Sequence, residues 1–175
     1  MEKIYETAYA KINLGLDVLG KRSDGYHEVR MVMQSVGLSD AVEIEEGEGL
    51  VVETDHSGLA GGPDNLAWKA AELLARCCGK IPNVHIRLNK KIFLAAGLAG
   101  GSSDAAAVMR GLSRLWQLEL TAPELEKLAA ELGSDIPFCI TGGTALAEGR
   151  GEILTELPRS EEHTSELQSH SYLVC

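Results

Sequence analysis

FLAAGLAGGSSDAAA, residues 93–107, is the most informative stretch of this sequence. It lies between residues 83–89, whose apolar positions alternate as in a strand, and residues 103–116, whose apolar positions recur at helical spacing. A glycine-rich turn that opens a helix offers unpaired backbone N–H groups at the positive end of the helix dipole. The stretch therefore predicts an anion site suited to phosphate. Ser102 and Ser103 add hydroxyl groups that can donate to phosphate oxygens or help to hold Mg²⁺.

The alternative is a flexible loop whose glycines merely allow a strand and a helix to pack closely. The stretch differs from the commoner phosphate signatures, because no lysine follows the glycines as in G-x-x-x-x-G-K-[ST], and the spacing G-x-G-x-x-G is absent. The H-R-D and D-F-G motifs of protein kinases are absent from the sequence as well. If the loop binds phosphate, it belongs to a phosphate-binding motif other than these.

Strand-like and helix-like segments flank the loop on both sides. A helix is predicted from a cap at Asp64 or Asn65 to a stop at Gly79, and another after the capping box 121–124, before Gly133. The predicted strands are 4–19, 29–36, 41–45, 50–54, 83–89, 143–148 and 152–157. This order lacks the regular βαβαβ alternation of a doubly wound fold, and it predicts the α+β class.

The composition excludes several classes of protein. The 175 residues include 26 acidic and 16 basic residues, for a formal charge of −10, which argues against a nucleic-acid partner held by phosphate neutralisation. No apolar run approaches the roughly 18 residues of a membrane span, and the start has no signal-peptide layout. The four cysteines and five histidines show no zinc spacing. We expect a soluble, cytoplasmic protein without nucleic-acid or membrane partners.

Two further segments carry candidate catalytic residues. Asp135 lies between Gly133 and Pro137, on a stiff turn that can aim a carboxylate toward a hydroxyl group. The alternative is an ordinary aspartate in a turn that ends a helix. Lys11 and Asn13 share one face of a strand-like run, and Lys11 could pair with Asp135 and stabilise a transferring phosphoryl group. It could equally be a lysine that faces solvent.

The turn D-G-Y-H, residues 24–27, is a candidate for ring recognition. Tyr26 could stack on a flat ring and His27 could form a hydrogen bond to it. The alternative is that both residues simply decorate a hairpin.

Four motifs together resemble one known family. They are A-K-I-N-L (10–14), D-G-Y-H (24–27), G-L-A-G-G-S-S-D-A-A (97–106) and G-S-D-I-P-F (133–138), in this order. The third resembles the galactokinase, homoserine kinase, mevalonate kinase and phosphomevalonate kinase (GHMP) superfamily. The other three narrow the resemblance to the branch whose acceptor is a cytidine diphosphate-linked methylerythritol. The implied fold is the GHMP kinase N-terminal domain, similar to domain 2 of ribosomal protein S5, with a mixed sheet and helices packed on one face.

The resemblance implies a role for particular residues. It implies ATP and Mg²⁺ as cofactors, Lys11 and Asp135 as the catalytic pair, and transfer of the γ-phosphate to the 2-hydroxyl of the methylerythritol unit. Contacts to the cytidine-bearing substrate would come from Asn13, Tyr26 and His27, while Asn65 and Lys90 would lie near the nucleotide. Ser103 is a candidate magnesium ligand. The loop that binds the ATP phosphates would comprise Phe93, Leu94, Ala95, Ala96, Gly97, Leu98, Ala99, Gly100, Gly101, Ser102 and Ser103.

The resemblance also implies limits. This sequence departs from the family pattern at Phe93, where the family usually has proline. The resemblance ends near Leu157, whereas the family carries a second, C-terminal domain. We therefore predict an N-terminal ATP-binding domain at 1–158. Residues 159–175 resemble a translated sequencing-library adapter and are predicted to be a non-native tail. The chain alone is expected to show little or no kinase activity. The remaining alternatives are another GHMP small-molecule kinase and a non-catalytic nucleotide-binding module.

Overall fold

The computed structural model describes residues 3–158, so the predicted tail at 159–175 lies outside the described residues. Helices and strands alternate irregularly along the chain, which confirms the predicted α+β class. The strands are β1 (Lys3–Lys21), β2 (His27–Glu46), β3 (Leu50–Thr54), β4 (Val84–Asn89), β5 (Thr144–Glu148) and β6 (Ile153–Glu156). The helices are α1 (Leu66–Cys78), α2 (Gly100–Leu115), α3 (Ala122–Ala129) and α4 (Ile136–Thr141). Among the described residues, no helix is long and apolar enough to cross a membrane.

The sheet is built around β2. One edge of β2 pairs antiparallel with β1 along its length, and the other edge pairs with β4 at residues 41–46 and with β5 at residues 31–34. β3 is parallel to β4, and β6 is antiparallel to β5. This confirms the predicted mixed sheet. The arrangement brings the end of β4, from which the glycine-rich loop departs, beside the middle of the β1–β2 pair.

β2 is one strand where the sequence predicts two, at 29–36 and 41–45. The polar residues around Gly37 suggest a turn, but they lie in an irregularity of the sheet. Tyr9 pairs with Ser39 and Lys11 pairs with Ser35, so three residues of β2 oppose a single residue of β1. Such a bulge bends the strand and redirects nearby side chains. Ala10 and Lys11 are consecutive yet both buried, which breaks the alternation of buried and exposed residues along β1.

The helices pack on the sheet through small and aliphatic residues. α1 is capped by Asn65 and ends at Gly79, whose φ of 63° requires the left-handed conformation, as the sequence predicts. α2 begins three residues before the predicted start, at Gly100. α4 is absent from the predicted elements, because its six residues are too few to show a helical period. The largest buried side chains of this core include Val42, Ile44, Leu74, Ile86, Leu88, Val108, Met109 and Leu112.

Two adjacent glycines in the connection between β3 and α1 have different surroundings. A Cβ atom added to Gly61 would lie 1.8 Å from the backbone oxygen of Val52, in the middle of β3. A Cβ atom added to Gly62 would meet nothing within 4 Å. The connection thus lies directly against β3 at Gly61 before it reaches the cap of α1.

Candidate functional site

The glycine-rich loop joins β4 to the start of α2. Ala95, Gly97 and Ala99 have positive φ angles of 55°, 74° and 58°. For the two alanines this conformation costs about 1 kcal/mol or more each, and such strain concentrates at functional sites. Ala99 occupies the cap position of α2 without a side-chain hydrogen bond, and the first turn of the helix carries no acidic residue. Neither a capping side chain nor an acidic side chain therefore occupies the start of α2, which stays a candidate anion site.

Lys11 and Asp135 meet beside this loop. The Lys11 ammonium lies 3.4 Å from an Asp135 carboxylate oxygen and 3.2 Å from the Asn13 side-chain oxygen. The side chain of Lys11 is 6% exposed, whereas that of Asp135 is 34% exposed. The backbone N–H of Lys11 donates to the Leu98 carbonyl at 3.1 Å, which ties β1 to the loop. The structure thus brings the neighbouring Lys11 and Asn13 together with Asp135 and the loop, which lie far from them in the sequence.

Ser103 joins three elements behind the loop. Its buried hydroxyl donates to the Tyr9 carbonyl of β1 at 2.6 Å. The Cys139 sulfur of α4 lies 3.3 Å from the Ser103 hydroxyl oxygen. Burial raises the pKa of the Cys139 thiol to about 11, so the thiol is protonated and unreactive at neutral pH. The Ser103 hydroxyl is thus engaged with β1, while the neighbouring Ser102 is only partly buried.

Arg110 supports the Lys11–Asp135 pair and is missed by the sequence analysis. From α2 its guanidinium donates to the carbonyls of Cys139 and Ile140 in α4 and to the carbonyl of Thr7 in β1. It also pairs with Glu6 at 3.1 Å. Arg110 therefore holds α4, which follows Asp135, against the strand that carries Lys11. An arginine within a largely apolar helix gives no local signal of this role.

Asn65 and Lys90 make structural contacts. The Asn65 side chain accepts from the Ala67 N–H and donates to the Ala60 carbonyl, both at 2.9 Å, so it caps α1. The Lys90 ammonium is buried between the carboxylates of Asp40 and Asp104, and its side chain is 1% exposed. Neither side chain is directed toward solvent on the exposed side of the loop.

Tyr26 and His27 lie at the far end of the β1–β2 hairpin. Lys21 pairs with His27 across the turn, whereas Asn13 pairs with Met33 well before it. The intervening part of β1 covers up to about 26 Å at the rise of a strand. Tyr26 is 56% exposed, and the Arg150 guanidinium lies over its ring at 5.0 Å. Arg150 and the neighbouring Gly151, whose added Cβ would lie 3.8 Å from Ser134, connect Tyr26 to the turn that carries Asp135.

The oxygen ligands near the loop are compatible with a magnesium ion. Mg²⁺ in nucleotide sites takes one or two protein oxygens and completes its shell with phosphate and water. The partly exposed oxygens of Ser102 and Asp135 suit this chemistry, whereas the Ser103 hydroxyl is buried. Within residues 3–158, no group of three or more histidine, cysteine, aspartate or glutamate side chains forms a metal site.

The buried carboxyl group of Asp104 should give the protein an unusual dependence of its stability on pH. Burial raises the pKa of its carboxyl group from 3.8 to about 7, against the opposing effect of Lys90. Because the folded protein holds this proton more tightly than the unfolded chain does, protonation of Asp104 favours folding. This contribution to stability is fully present below about pH 4 and is lost as the pH rises through about 7. We expect the free energy of unfolding in urea to fall by about 2 kcal/mol between pH 5 and pH 8.

The variant Asp104→Asn should remove this slope, since an amide does not titrate. Carboxylates with lowered pKa values, such as Glu43 and Glu45, change stability mainly below pH 5, outside the window compared. Equal slopes in the wild type and Asp104→Asn would contradict the assignment.

The chain is similar to known proteins over most of its length. A family model described as the GHMP kinases N terminal domain matches residues 65–143. A 4-diphosphocytidyl-2-C-methyl-D-erythritol kinase of Synechococcus sp. (strain JA-3-3Ab) is 55% identical over 151 residues, which cover 86% of this chain and 49% of the relative. The enzyme of that name from Caldanaerobacter subterraneus subsp. tengcongensis is 50% identical over 155 residues, which cover 89% of this chain and 54% of the relative. The chain thus spans about half the length of the curated relatives it matches.

Solved structures show the same fold. A crystal structure of 4-(cytidine 5'-diphospho)-2C-methyl-D-erythritol kinase superposes with a TM-score of 0.76 at 40% identity, over 88% of this chain and 55% of that chain. A homoserine kinase from Cytophaga hutchinsonii superposes with a TM-score of 0.70 at 18% identity, over 90% of this chain and 52% of that chain. At that identity the second match shows the fold alone.

Proposed function

The chain carries the N-terminal domain of the GHMP kinases, and from this we propose that it serves ATP-dependent phosphorylation of 4-diphosphocytidyl-2-C-methyl-D-erythritol. The observation that carries the proposal is the Lys11–Asp135 pair, whose strand is hydrogen-bonded to the glycine-rich loop at Leu98. This contact sets a positive charge and a reachable carboxylate beside a site suited to phosphate. The acceptor is taken from the names of relatives that are about half identical to the chain.

The loop and the start of α2 would hold the ATP phosphates. Backbone N–H groups at a helix start bind oxyanions without basic side chains. This explains how a protein of formal charge −10 can bind a nucleotide. The strained backbone at Ala95 and Ala99 aims these groups before the ligand arrives, so less reorganisation accompanies binding.

Asp135 would accept or orient the proton of the acceptor hydroxyl, which we assign to the 2-hydroxyl. Its carboxylate is one-third exposed and can be reached by a substrate. As the hydroxyl oxygen bonds to the γ-phosphorus, the bond to the β-phosphate oxygen breaks, ADP leaves and the proton passes to Asp135. The buried ammonium of Lys11, 3.4 Å from the carboxylate, holds Asp135 in place and offsets the charge that develops on the phosphoryl group.

The rest of the acceptor would extend along the β1–β2 hairpin. Asn13 lies beside the pair, and Tyr26 and His27 lie near the turn, so an acceptor with a diphosphate between its polyol and its base has suitable length. Arg150 covers one face of the Tyr26 ring, which leaves the other face for a pyrimidine to stack on. When bound, Mg²⁺ would neutralise phosphate charge, and Ser102 is the partly exposed oxygen ligand at the start of α2 that suits it.

Transfer of radiolabel tests the proposal. Residues 1–158 would be joined to the unmatched half of the Caldanaerobacter relative and incubated with [γ-³²P]ATP, Mg²⁺ and one of three acceptors. We expect label to move to 4-diphosphocytidyl-2-C-methyl-D-erythritol and not to homoserine or mevalonate. The 175-residue chain alone should transfer label far more slowly, because it spans about half of each relative.

Two results would replace the proposal. Label on homoserine or mevalonate would assign the chain to another GHMP kinase. ATP binding without transfer to any acceptor would indicate a non-catalytic nucleotide-binding module.

A further inference from the structure

A buried cluster of three charged side chains lies beneath the two ends of the glycine-rich loop. Lys90, at the end of β4, pairs with Asp40 of β2 and with Asp104 in the first turns of α2. All three side chains are at most 3% exposed. The cluster therefore joins the strand before the loop, the helix after it and the central strand of the sheet.

The entry of the loop is fixed by Asp40. One oxygen of its carboxylate accepts from the backbone N–H groups of Lys91 and Ile92, at 2.5 and 2.8 Å. The other oxygen binds the Lys90 ammonium. A single carboxylate thus orients three consecutive residues, and the exposed part of the loop begins directly afterwards, at Phe93.

The exit of the loop is fixed against the entry. A Cβ atom at Gly100, the first residue of α2, would lie 3.0 Å from the side chain of Ile92 and 3.6 Å from the Lys90 ammonium. The two ends of the loop are therefore in contact, and Lys90 extends this contact to Asp104 one helical turn later. The loop has a rigid base and a solvent-exposed tip.

We propose that Asp40, Lys90 and Asp104 are positioning residues, which set the conformation of the glycine-rich loop so that its N–H groups meet the phosphates of a nucleotide. This inference rests on the proposed function, since it assumes that the loop binds phosphate. The cluster acts through backbone position and does not touch the ligand. Asp40, which no sequence motif singles out, supplies the hydrogen bonds to the loop backbone.

Stability alone does not account for this cluster. Burying three ionisable groups is costly, and apolar residues of similar volume often stabilise a protein as well or better. One oxygen of Asp104 is moreover buried without a hydrogen-bond partner in the described part of the chain. What the cluster supplies, and apolar packing would not, is directional bonds that fix the backbone at both ends of one loop.

The variant Asp40→Asn tests this role in the 175-residue chain. An amide in place of the carboxylate cannot accept from both the backbone and the Lys90 ammonium through two oxygens. Calorimetry should show affinity for ATP reduced about 10-fold and affinity for adenosine unchanged, because only ATP uses the loop. Backbone amides of residues 91–101 should exchange hydrogen faster than in the wild type.

Asp55→Asn is the matched control. Asp55 accepts from the backbone N–H of Lys90 at 2.9 Å but is exposed, and its amide can still accept that bond. Asp55→Asn removes one negative charge, as Asp40→Asn does. The comparison of the two variants therefore cancels the effect of that charge on the long-range repulsion of ATP. It should leave both affinities and the exchange rates unchanged. If Asp40→Asn does not fold, Lys90→Gln, which keeps side-chain hydrogen bonds but lacks the charge, should show the same pattern in a folded protein.

Exchange and binding separate this inference from the proposed function. If the wild type binds no ATP while Asp40→Asn accelerates exchange in the loop, the proposed function fails but the cluster still positions the loop. If loop exchange matches the wild type, or if ATP and adenosine affinities fall equally, the cluster does not position the loop for phosphate.

Discussion

Replacing Lys11 with methionine should lower phosphoryl transfer by about 10³-fold, the range seen when one preorganised electrostatic contact to a transition state is removed. Methionine nearly matches the length of the lysine stem, so it can fill the space at β1 without the charge. Asp135 then loses the ammonium 3.4 Å away, and nothing equivalent offsets the charge on the phosphoryl group. The rate would be measured with radiolabelled ATP in the chimera described above.

The same assay should show a comparable loss for Asp135→Asn, because an amide of the same shape cannot accept the proton. Lys91→Met is the control, since Lys91 is an exposed lysine that adjoins the loop. ATP affinity should change by less than about threefold in Lys11→Met, because the loop holds the phosphates through its backbone. A rate close to that of the wild type in either variant would exclude the proposed pair.

Replacing Gly61 with alanine should destabilise the chain by about 2–3 kcal/mol, whereas alanine at Gly62 should change stability by less than about 0.5 kcal/mol. The added methyl group at Gly61 would lie 1.8 Å from the Val52 oxygen. Val52 is held in β3 by its pairing with Ile86 of β4, so the connection itself must move. That movement would also disturb the Asn65 cap of α1.

Urea unfolding of the two variants measures the difference. The substitutions are chemically identical and adjacent, so their effects on the unfolded chain are nearly equal. The difference in unfolding free energy therefore reports the contact with β3. Equal stability of the two variants would show that the connection does not lie against β3 as the structure has it.

Local patterns in the sequence account for much of the fold. The cap at Asn65, the stop at Gly79 and the alternation of β4 act within a few residues, so the sequence predicts α1 and β4 nearly to their ends. β2 is predicted as two strands, since the residues around Gly37 resemble a turn until β1 is paired alongside them. α4 is missed because one and a half helical turns carry no readable period.

The candidate site, like the fold, combines local sequence signals with contacts that form only in the tertiary structure. The sequence by itself determined which residue types could carry the chemistry: a glycine-serine loop that opens a helix, a lysine on a strand and an aspartate on a stiff turn. These signals depend on neighbours in the chain and on the local geometry they impose.

Only the tertiary structure decided which of these groups meet and which way they face. A bulge in the β1–β2 pair turns Lys11 inward to Asp135, while Asp40, fifty positions from Lys90, draws that second lysine into the interior. The physical reason is that a buried charge is stable only beside a partner, and partners distant in sequence become neighbours only when the sheet and helices have packed.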